Sequence, residues 1–437
     1  MKTKLLLLLT LTLNGTFLFA QWTVQNTGFT VASRGIKNIS IVDANVVWAT
    51  AYDGSSSNAN VQEFTKTING GTTWTPGTIN VGNTGSGIAM IHAESAQVAW
   101  AVAYPNATGQ PQGIFKTSNG GTSWTKQTTA TFSGADGFAN VVYFWDLNNG
   151  FCMGDPNAGY FEIYTTTNGG TNWTRVPQAN IPPNLSGEYG YVGQVVGVGD
   201  TVFFTTNKGR IYRSTDRGTN WTVVQSPITD FGSDLSNGEI AFKDSNIGYI
   251  VNNEPLFYVT TNGGTTWDIV FADSGSHFRD DVCVIPGTNT VMTSGANSSL
   301  SGSSYTNNNG QTYTMVDTEQ HTDVQFFDAS TGWAGGFNTS ATVGGMFKWS
   351  GPAFLGTSDN LLEKGFTAYP NPVINTLQMR ANEIIDSVVI YNLLGQEVYA
   401  SQPGVLTHTI DMSMLPNGTY IAKIGIDNIE GSVKIIR

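Results

Sequence analysis

Thr67-Ile-Asn-Gly-Gly-Thr-Thr-Trp74 decides the fold, because the phrase returns five more times at a steady interval. The copies are Thr117-Ser-Asn-Gly-Gly-Thr-Ser-Trp124, Thr166-Thr-Asn-Gly-Gly-Thr-Asn-Trp173, Ser214-Thr-Asp-Arg-Gly-Thr-Asn-Trp221, Thr260-Thr-Asn-Gly-Gly-Thr-Thr-Trp267 and a worn Thr306-Asn-Asn-Asn-Gly-Gln-Thr-Tyr313. Their closing aromatics stand 46 to 50 residues apart, the length of one four-stranded propeller blade. Asn-Gly supplies the positive φ of a tight hairpin at low steric cost. The flanking hydroxyls and the Asn or Asp side chain bond the turn's own backbone. Asn69, Gly70, Trp74, Asn119, Trp124, Asn168, Trp173, Asp216, Trp221, Asn262 and Trp267 are therefore read as structural, each Trp covering the outer edge of its blade.

Working outward, each hairpin is preceded by two strands that repeat as well. Val142-Tyr-Phe-Trp-Asp-Leu-Asn-Asn-Gly-Phe151, Ile240-Ala-Phe-Lys-Asp-Ser-Asn-Ile-Gly-Tyr249 and Val324-Gln-Phe-Phe-Asp-Ala-Ser-Thr-Gly-Trp333 are one pattern: apolar strand, turn, aromatic strand. Third strands such as Ile114-Phe-Lys116 and Ile211-Tyr-Arg213 run into the turn. Residues 324–350 give three strands and no hairpin, while Gln21-Trp-Thr-Val-Gln-Asn-Thr27 reads like the strand that follows each hairpin. The N-terminus is thus expected to complete the last blade, because a closed ring leaves no open edge there. An all-β, seven-bladed propeller over 21–350 is expected, with six blades as the alternative.

Composition agrees with an all-β chain. Of 437 residues only 12% are charged, Gly numbers 51 and aromatics make up 11%. The net charge of -12 excludes the basic surface that nucleic acid requires. Lys2 and Lys4, the run opening at Leu5 and the close at Ala20 form a signal peptide over 1–20. No other stretch reaches the ~20 apolar residues that span a bilayer. Cys152 and Cys283 fall in separate blades and are expected as thiols, and the four histidines show no metal-ligand spacing. No cofactor and no metal are expected, and the chain is read as a monomer.

The periodicity stops at Ser350, and a linker over 351–365 leads to a second unit over 366–437. Strands at Ser387-Val-Val-Ile-Tyr391, Thr419-Tyr-Ile-Ala-Lys-Ile424 and Ser432-Val-Lys-Ile-Ile-Arg437, separated by turns, give a small Ig-like antiparallel β-sandwich. Tyr369-Pro-Asn-Pro372, Val389-Ile-Tyr-Asn-Leu-Leu-Gly-Gln-Glu-Val398, Ile410-Asp411, Leu415-Pro-Asn-Gly-Thr-Tyr420 and Lys434-Ile-Ile-Arg437 occur in that order. This tail resembles the type A C-terminal sorting domain of the Bacteroidota type IX secretion system. The resemblance implies that the secretion machinery is a partner, and that the protein is secreted, extracellular or attached to the outer cell surface.

The repeat itself resembles the Asp-box, or bacterial neuraminidase repeat, whose hairpins lie on the face away from the ligand site. The starts of the inner strands and the loops between second and third strands share the opposite face. That places Arg34, Asp136, Glu188, Tyr189, His277, Arg279, Asp280, His321 and Asp323 at a channel mouth, with Tyr104, Asp155, Arg210 and Glu254 on the loops. Sialidases carry Asp-boxes and grip a carboxylate with three arginines, for which Arg34, Arg210 and Arg279 are the candidates. Their Arg-Ile-Pro motif is absent, and Ser33-Arg-Gly-Ile36 stands in its place. A glycosidase needs two carboxylates about 5–9.5 Å apart, with Asp136, Glu188, Asp280 and Asp323, beside Tyr189, as its catalytic candidates. Gly154-Asp-Pro156 with Thr167-Asn-Gly-Gly-Thr-Asn-Trp173 resembles the Ycf48-like propellers, a group of scaffolds and binding platforms. The reading is a secreted or surface propeller that binds a glycan or protein without catalysis; the alternative is a secreted glycoside hydrolase.

Overall fold

The computed structural model describes residues 21–437 other than 56, 58, 134–136, 233–237, 355–360, 362–363 and 428. The expected signal segment, Asp136 and part of the expected linker lie outside the described residues. Strand β1 (Trp22–Asn26) comes first, followed by β2–β5 (Arg34–Ile41, Val47–Asp53, Glu63–Thr67, Thr75–Thr78) and β6–β9 (Gly87–Ala93, Ala99–Tyr104, Gly113–Thr117, Thr125–Lys126). Next are β10–β13 (Ala139–Phe144, Gly150–Asn157, Tyr160–Thr166, Thr174–Arg175) and β14–β17 (Gly190–Val198, Thr201–Thr206, Arg210–Ser214, Thr222–Gln225). Then come β18–β21 (Gly238–Phe242, Gly248–Asn252, Phe257–Thr260, Asp268–Val270), β22–β25 (Asp281–Val284, Val291–Asn297, Leu300–Thr306, Thr314–Asp317) and β26–β28 (Val324–Phe326, Gly332–Ser340, Val343–Trp349).

Five of these groups, from β6–β9 to β22–β25, are four-stranded antiparallel sheets in chain order. The rest form one eight-stranded sheet, in which β26–β28 with β1 on one side meet β2–β5 on the other. The seam between the halves is the single pair Gly35↔Phe337. The first strands touch in the order β2, β6, β10, β14, β18, β22, β26, and β26 touches β2 again. The fold is a β-propeller, and this cycle walls a central cavity.

Strand β1 bridges the two chain ends. It pairs with β28 from Trp22↔Trp349 to Asn26↔Gly345. Trp22 is 4% exposed, lies edge-on to Trp349 at 5.0 Å and donates to Ser303 Oγ at 2.9 Å. Gln25 Oε1 accepts from Trp74 Nε1 at 2.9 Å, so the same strand also holds the first hairpin of the next group.

The hairpin phrase is explained bond by bond. Thr67 Oγ1 accepts from Gly71 N at 2.9 Å, and Asn69 Oδ1 accepts from Thr73 N at 3.0 Å. The equivalents at Thr117, Thr166, Ser214, Thr260 and Thr306 repeat the first bond at 2.8–3.0 Å. Each turn thus satisfies its own backbone.

A second device links neighbouring groups. Lys66, over the Trp48 ring at 4.4 Å, donates to Gly120 O in the next hairpin at 3.0 Å. Lys116, over Trp100, reaches Gly169 O at 2.7 Å. Lys348, over Trp333, reaches Gly70 O at 2.7 Å and so joins the last group to the first. Arg213 lies against Gly263 in the same way. At each contact the first Gly of the turn has positive φ and no side chain to meet the incoming cation. Three groups lack the cation, carrying Thr165, Val259 and Tyr305 there, and the first two face a hairpin in the following group. The hairpins they face have Arg217 (φ 57) and Asn309 (φ 55) in place of that Gly. Those side chains reach back instead: Arg217 Nε to Asp200 at 2.7 Å and toward Asp146, and Asn309 Oδ1 to the Tyr249 hydroxyl at 2.8 Å. Glycine and cation are therefore one unit. Gly169→Arg should cost ~2–3 kcal/mol, and the added substitution Lys116→Thr should recover at least ~1 kcal/mol of it. Denaturant unfolding of the double-mutant cycle measures this coupling, and strict additivity would contradict it.

The C-terminal strands are β29–β34 (Thr367–Tyr369, Thr376–Asn392, Glu397–Ser401, Val405–Asp411, Thr419–Ile426, Ile429–Ile436). The 17-residue β30 pairs with β29 and β32 along its first half and with β31 and β33 along its second, which folds one sheet into a small sandwich. Leu377, Met379, Val388, Ile390, Ile410, Ala422, Ile424 and Ile435 fill it. The motif residues clamp the last strand. Asn371 bonds Ile436 N at 2.9 Å and Lys434 O at 2.8 Å, while Arg437 bonds Asn417, Ser413 and Leu415 on the Leu415-Pro-Asn-Gly turn.

Candidate functional site

The inner strands enclose a cavity of about 680 Å³. At the middle of six inner strands, β14 excepted, an apolar residue (Ile39, Ile91, Val142, Ile240, Val282, Val324) packs between blades and is nearly or fully buried. The residues on either side of it in sequence line the cavity, because side chains alternate along a strand. They bring Asn38, His92, Tyr143, Glu239, Asp281, Asp323 and Gln325 to one wall, joined by Lys37, Gln194, Lys243 and Asp280.

Many of these side chains stitch one inner strand to the next. Asp281 accepts from Val324 N at 2.6 Å, Asp323 from Ile39 N at 2.9 Å, and Asn38 from Ile91 N at 2.9 Å. Ser40 accepts from Ala93 N at 2.9 Å, and Lys37 donates to Ile88 O at 2.7 Å. Edge backbone groups that no sheet partner reaches are thereby satisfied.

Burial dominates the electrostatics. It pushes Glu239 up to about 8, with the Asp281 charge as the second cause. It pushes Asp281 up to about 6 against the bonds that favour its ionised form. Asp323 rises well above the carboxylate range through burial and then through Asp281. Burial lowers Lys37 to about 8. A carboxyl raised in the folded state adds stability below its unfolded pKa and loses it as pH rises through the folded value. Glu239→Gln should therefore unfold later than the parent above pH ~8, by roughly 1–3 kcal/mol, and this gain should vanish by pH ~4. Thermal unfolding across pH checks the sign. A variant that loses stability at high pH would overturn it.

The candidates read from sequence are dispersed. Arg34 is held by Glu63 at 2.5 Å and by Asp53 at 3.7 Å. Arg210 bonds Glu188, whose side chain is fully buried and also accepts from Thr206 Oγ1 at 2.7 Å and Leu185 N at 2.8 Å. Arg279 donates to Asn253 O at 2.9 Å. Each of the three arginines thus sits in its own blade with internal partners, and they do not converge. Asp280 caps its own hairpin through Ala296 N and Asn297 N, and Asp155 accepts from Asn140 and Gly190 N. His277 lies inside, between Phe257 and Tyr313, with burial lowering it to about 4. His321 is also inside, bonded to Asp317 at 2.8 Å against Trp22 and Phe347. Tyr104 stacks on Phe138, while Tyr189 and Glu254 are exposed on the rim. Of the candidates among the described residues, only Asp280 and Asp323 line the cavity. The sequence reading left out Lys37, His92, Tyr143, Gln194, Glu239 and Lys243. Aligning the repeats on the central Ile or Val would have exposed most of that column.

Comparison with known proteins agrees with this architecture. Residues 367–437 match the family described as Secretion system C-terminal sorting domain, and residues 104–233 match Photosynthesis system II assembly factor YCF48. No curated protein matches. Among solved structures, "YCF48 bound to D1 peptide" superposes with a TM-score of 0.51 at 14% identity, covering 76% of this chain and 98% of that one. YCF48 from Cyanidioschyzon merolae gives 0.52 at 15%, covering 76% and 99%. An ancestral GH74 enzyme gives 0.49 at 15%, covering 94% and 63%. At these identities the likeness to the YCF48 structures is one of fold. The tail is a type IX secretion sorting domain, so the protein is secreted or displayed at the cell surface. No helix among the described residues is long and apolar enough to cross a membrane.

Proposed function

We propose that the chain is a rigid, seven-bladed, non-catalytic binding platform, exported through its sorting domain after a cleaved signal segment over 1–20. It engages a glycan or protein of the cell surface at the cavity mouth opposite the Asp-box hairpins. The observation that carries this reading is how the candidate catalytic carboxylates are used. Glu188, Asp280 and Asp323 each accept a backbone N–H, and Glu188 holds Arg210 besides. Glu188 and Asp280 fix local turns and Asp323 ties one inner strand to the next, while the preformed cavity has the size and mixed polarity of a ligand site. Among the described candidates read from sequence, a glycosidase would have to take its acid and base from these same engaged groups; Glu239 and Asp281 are further carboxyls that line the cavity.

The faces can be tested separately, because the native thiols Cys152 and Cys283 are buried. A bulky maleimide at Tyr189→Cys, on the rim, should block ligand binding, whereas one at Thr72→Cys, on an exposed hairpin, should leave it intact. Blockage from the hairpin face alone would refute the assignment of the binding face.

A further inference from the structure

Glu239, Asp281 and Asp323 stand on three consecutive inner strands at the end of the cavity opposite the hairpins. None of the three forms an ion pair among the described residues. Asp323 is 7% exposed, its Oδ2 is bonded to Ile39 N, and its Oδ1 is buried with no close hydrogen-bond partner, beside the Asp281 carboxyl and the Gln325 amide. Glu239 is held only by the Gln194 amide at 3.0 Å. The other ionisable groups lining the cavity are Asp280, which caps its own hairpin, Cys283, whose thiol burial pushes up, and Lys37, His92, Tyr143 and Lys243. Lys37 donates to Ile88 O, Lys243 donates to Asn289, and His92 meets Glu94.

Burial without a counter-ion disfavours the charged form of a carboxyl, because desolvation penalises the charge. A cation entering from outside removes that penalty. Opposite charges attract strongly in a low-dielectric site, and the carboxyls release their protons as the pair forms. No group of three His, Cys, Asp or Glu among the described residues is arranged to hold a metal ion, and a cavity of about 680 Å³ has room for a larger, organic cation. Within the platform reading, on which this rests, we propose that the cavity mouth binds the ammonium or guanidinium group of a protein partner's Lys or Arg side chain. Glu239 and Asp323 supply the acceptors.

The test uses the whole mature chain. Nα-acetyl-lysine methylamide and Nα-acetyl-arginine methylamide are titrated at pH 7 by calorimetry in two buffers of different ionisation heat. Nα-acetyl-methionine methylamide is the uncharged control, and glucosamine tests a glycan amine. Expected is saturable binding of at least one of the two cationic amides with proton release, none of the control, and a tenfold or greater loss in both Glu239→Gln and Asp323→Asn. Asn at 323 keeps an acceptor for Ile39 N–H, and parent-like melting shows that each variant is folded. No binding of either amide, binding of glucosamine alone, or affinities within twofold of parent in both variants would overturn the proposal. A partner found by screening whose affinity ignores Glu239→Gln would remove the cation site and leave the platform standing.

Discussion

Removal of residues 21–27 lowers the propeller's melting temperature by about 10 °C or more, or prevents folding. The deletion takes away the full β1/β28 register and with it Trp22, which is buried against Trp349, Phe326 and His321. Loss of a buried Trp alone costs ~3–5 kcal/mol. The Gln25 acceptor of Trp74 and the Thr27 carbonyl that accepts from Thr65 go too, so the first blade loosens with the last. An exposed β28 edge is also a site for aggregation. Trp22→Ala should reproduce about half of the loss. Unchanged melting of the deletion would show that the ring does not depend on the strand its N-terminus supplies.

Deletion of residues 367–437 should abolish delivery across the outer membrane almost completely, while the propeller itself folds. The sorting domain has its own core, in which Leu377, Val388, Ile390, Ile410 and Ile424 are at most 1% exposed. Asn371 and Arg437 fasten its last strand to the Tyr369-Pro-Asn-Pro and Leu415-Pro-Asn-Gly segments. Cell fractionation and protease shaving of intact cells read the outcome. Normal surface display of the truncated chain would contradict the sorting role of the tail.

Much of the fold was legible because the hairpin is local chemistry. Thr67, Asn69 and Gly70 act on backbone groups within four residues, so their spacing alone discloses them. The blade-to-blade link was legible in principle, since Arg217 and Asn309 replace Gly only where Thr165 and Val259 replace a cation in the preceding group. The site was legible only in part. The face was inferred from strand order, but Arg34 and Arg210 looked free in sequence because their partners Glu63 and Glu188 lie 29 and 22 residues away. His277 and His321 looked like rim residues because strand starts sit at the mouth, whereas side-chain direction sends both rings into aromatic packing. Glu239 was missed because its environment is set by burial in the assembled ring and then by Asp281, one blade away in space and 42 residues away in the chain.

A screen of the purified mature chain against reporter glycosides, a glycan array and surface-protein extracts tests the platform most directly, with bound partner and released product followed in the same samples. A platform gives saturable binding of a defined glycan or an identified protein, blocked from the rim face, and no product at any enzyme-to-substrate ratio. Turnover that disappears on Asp323→Asn or Asp280→Asn, in variants that melt like the parent, would contradict it and make the chain a glycoside hydrolase.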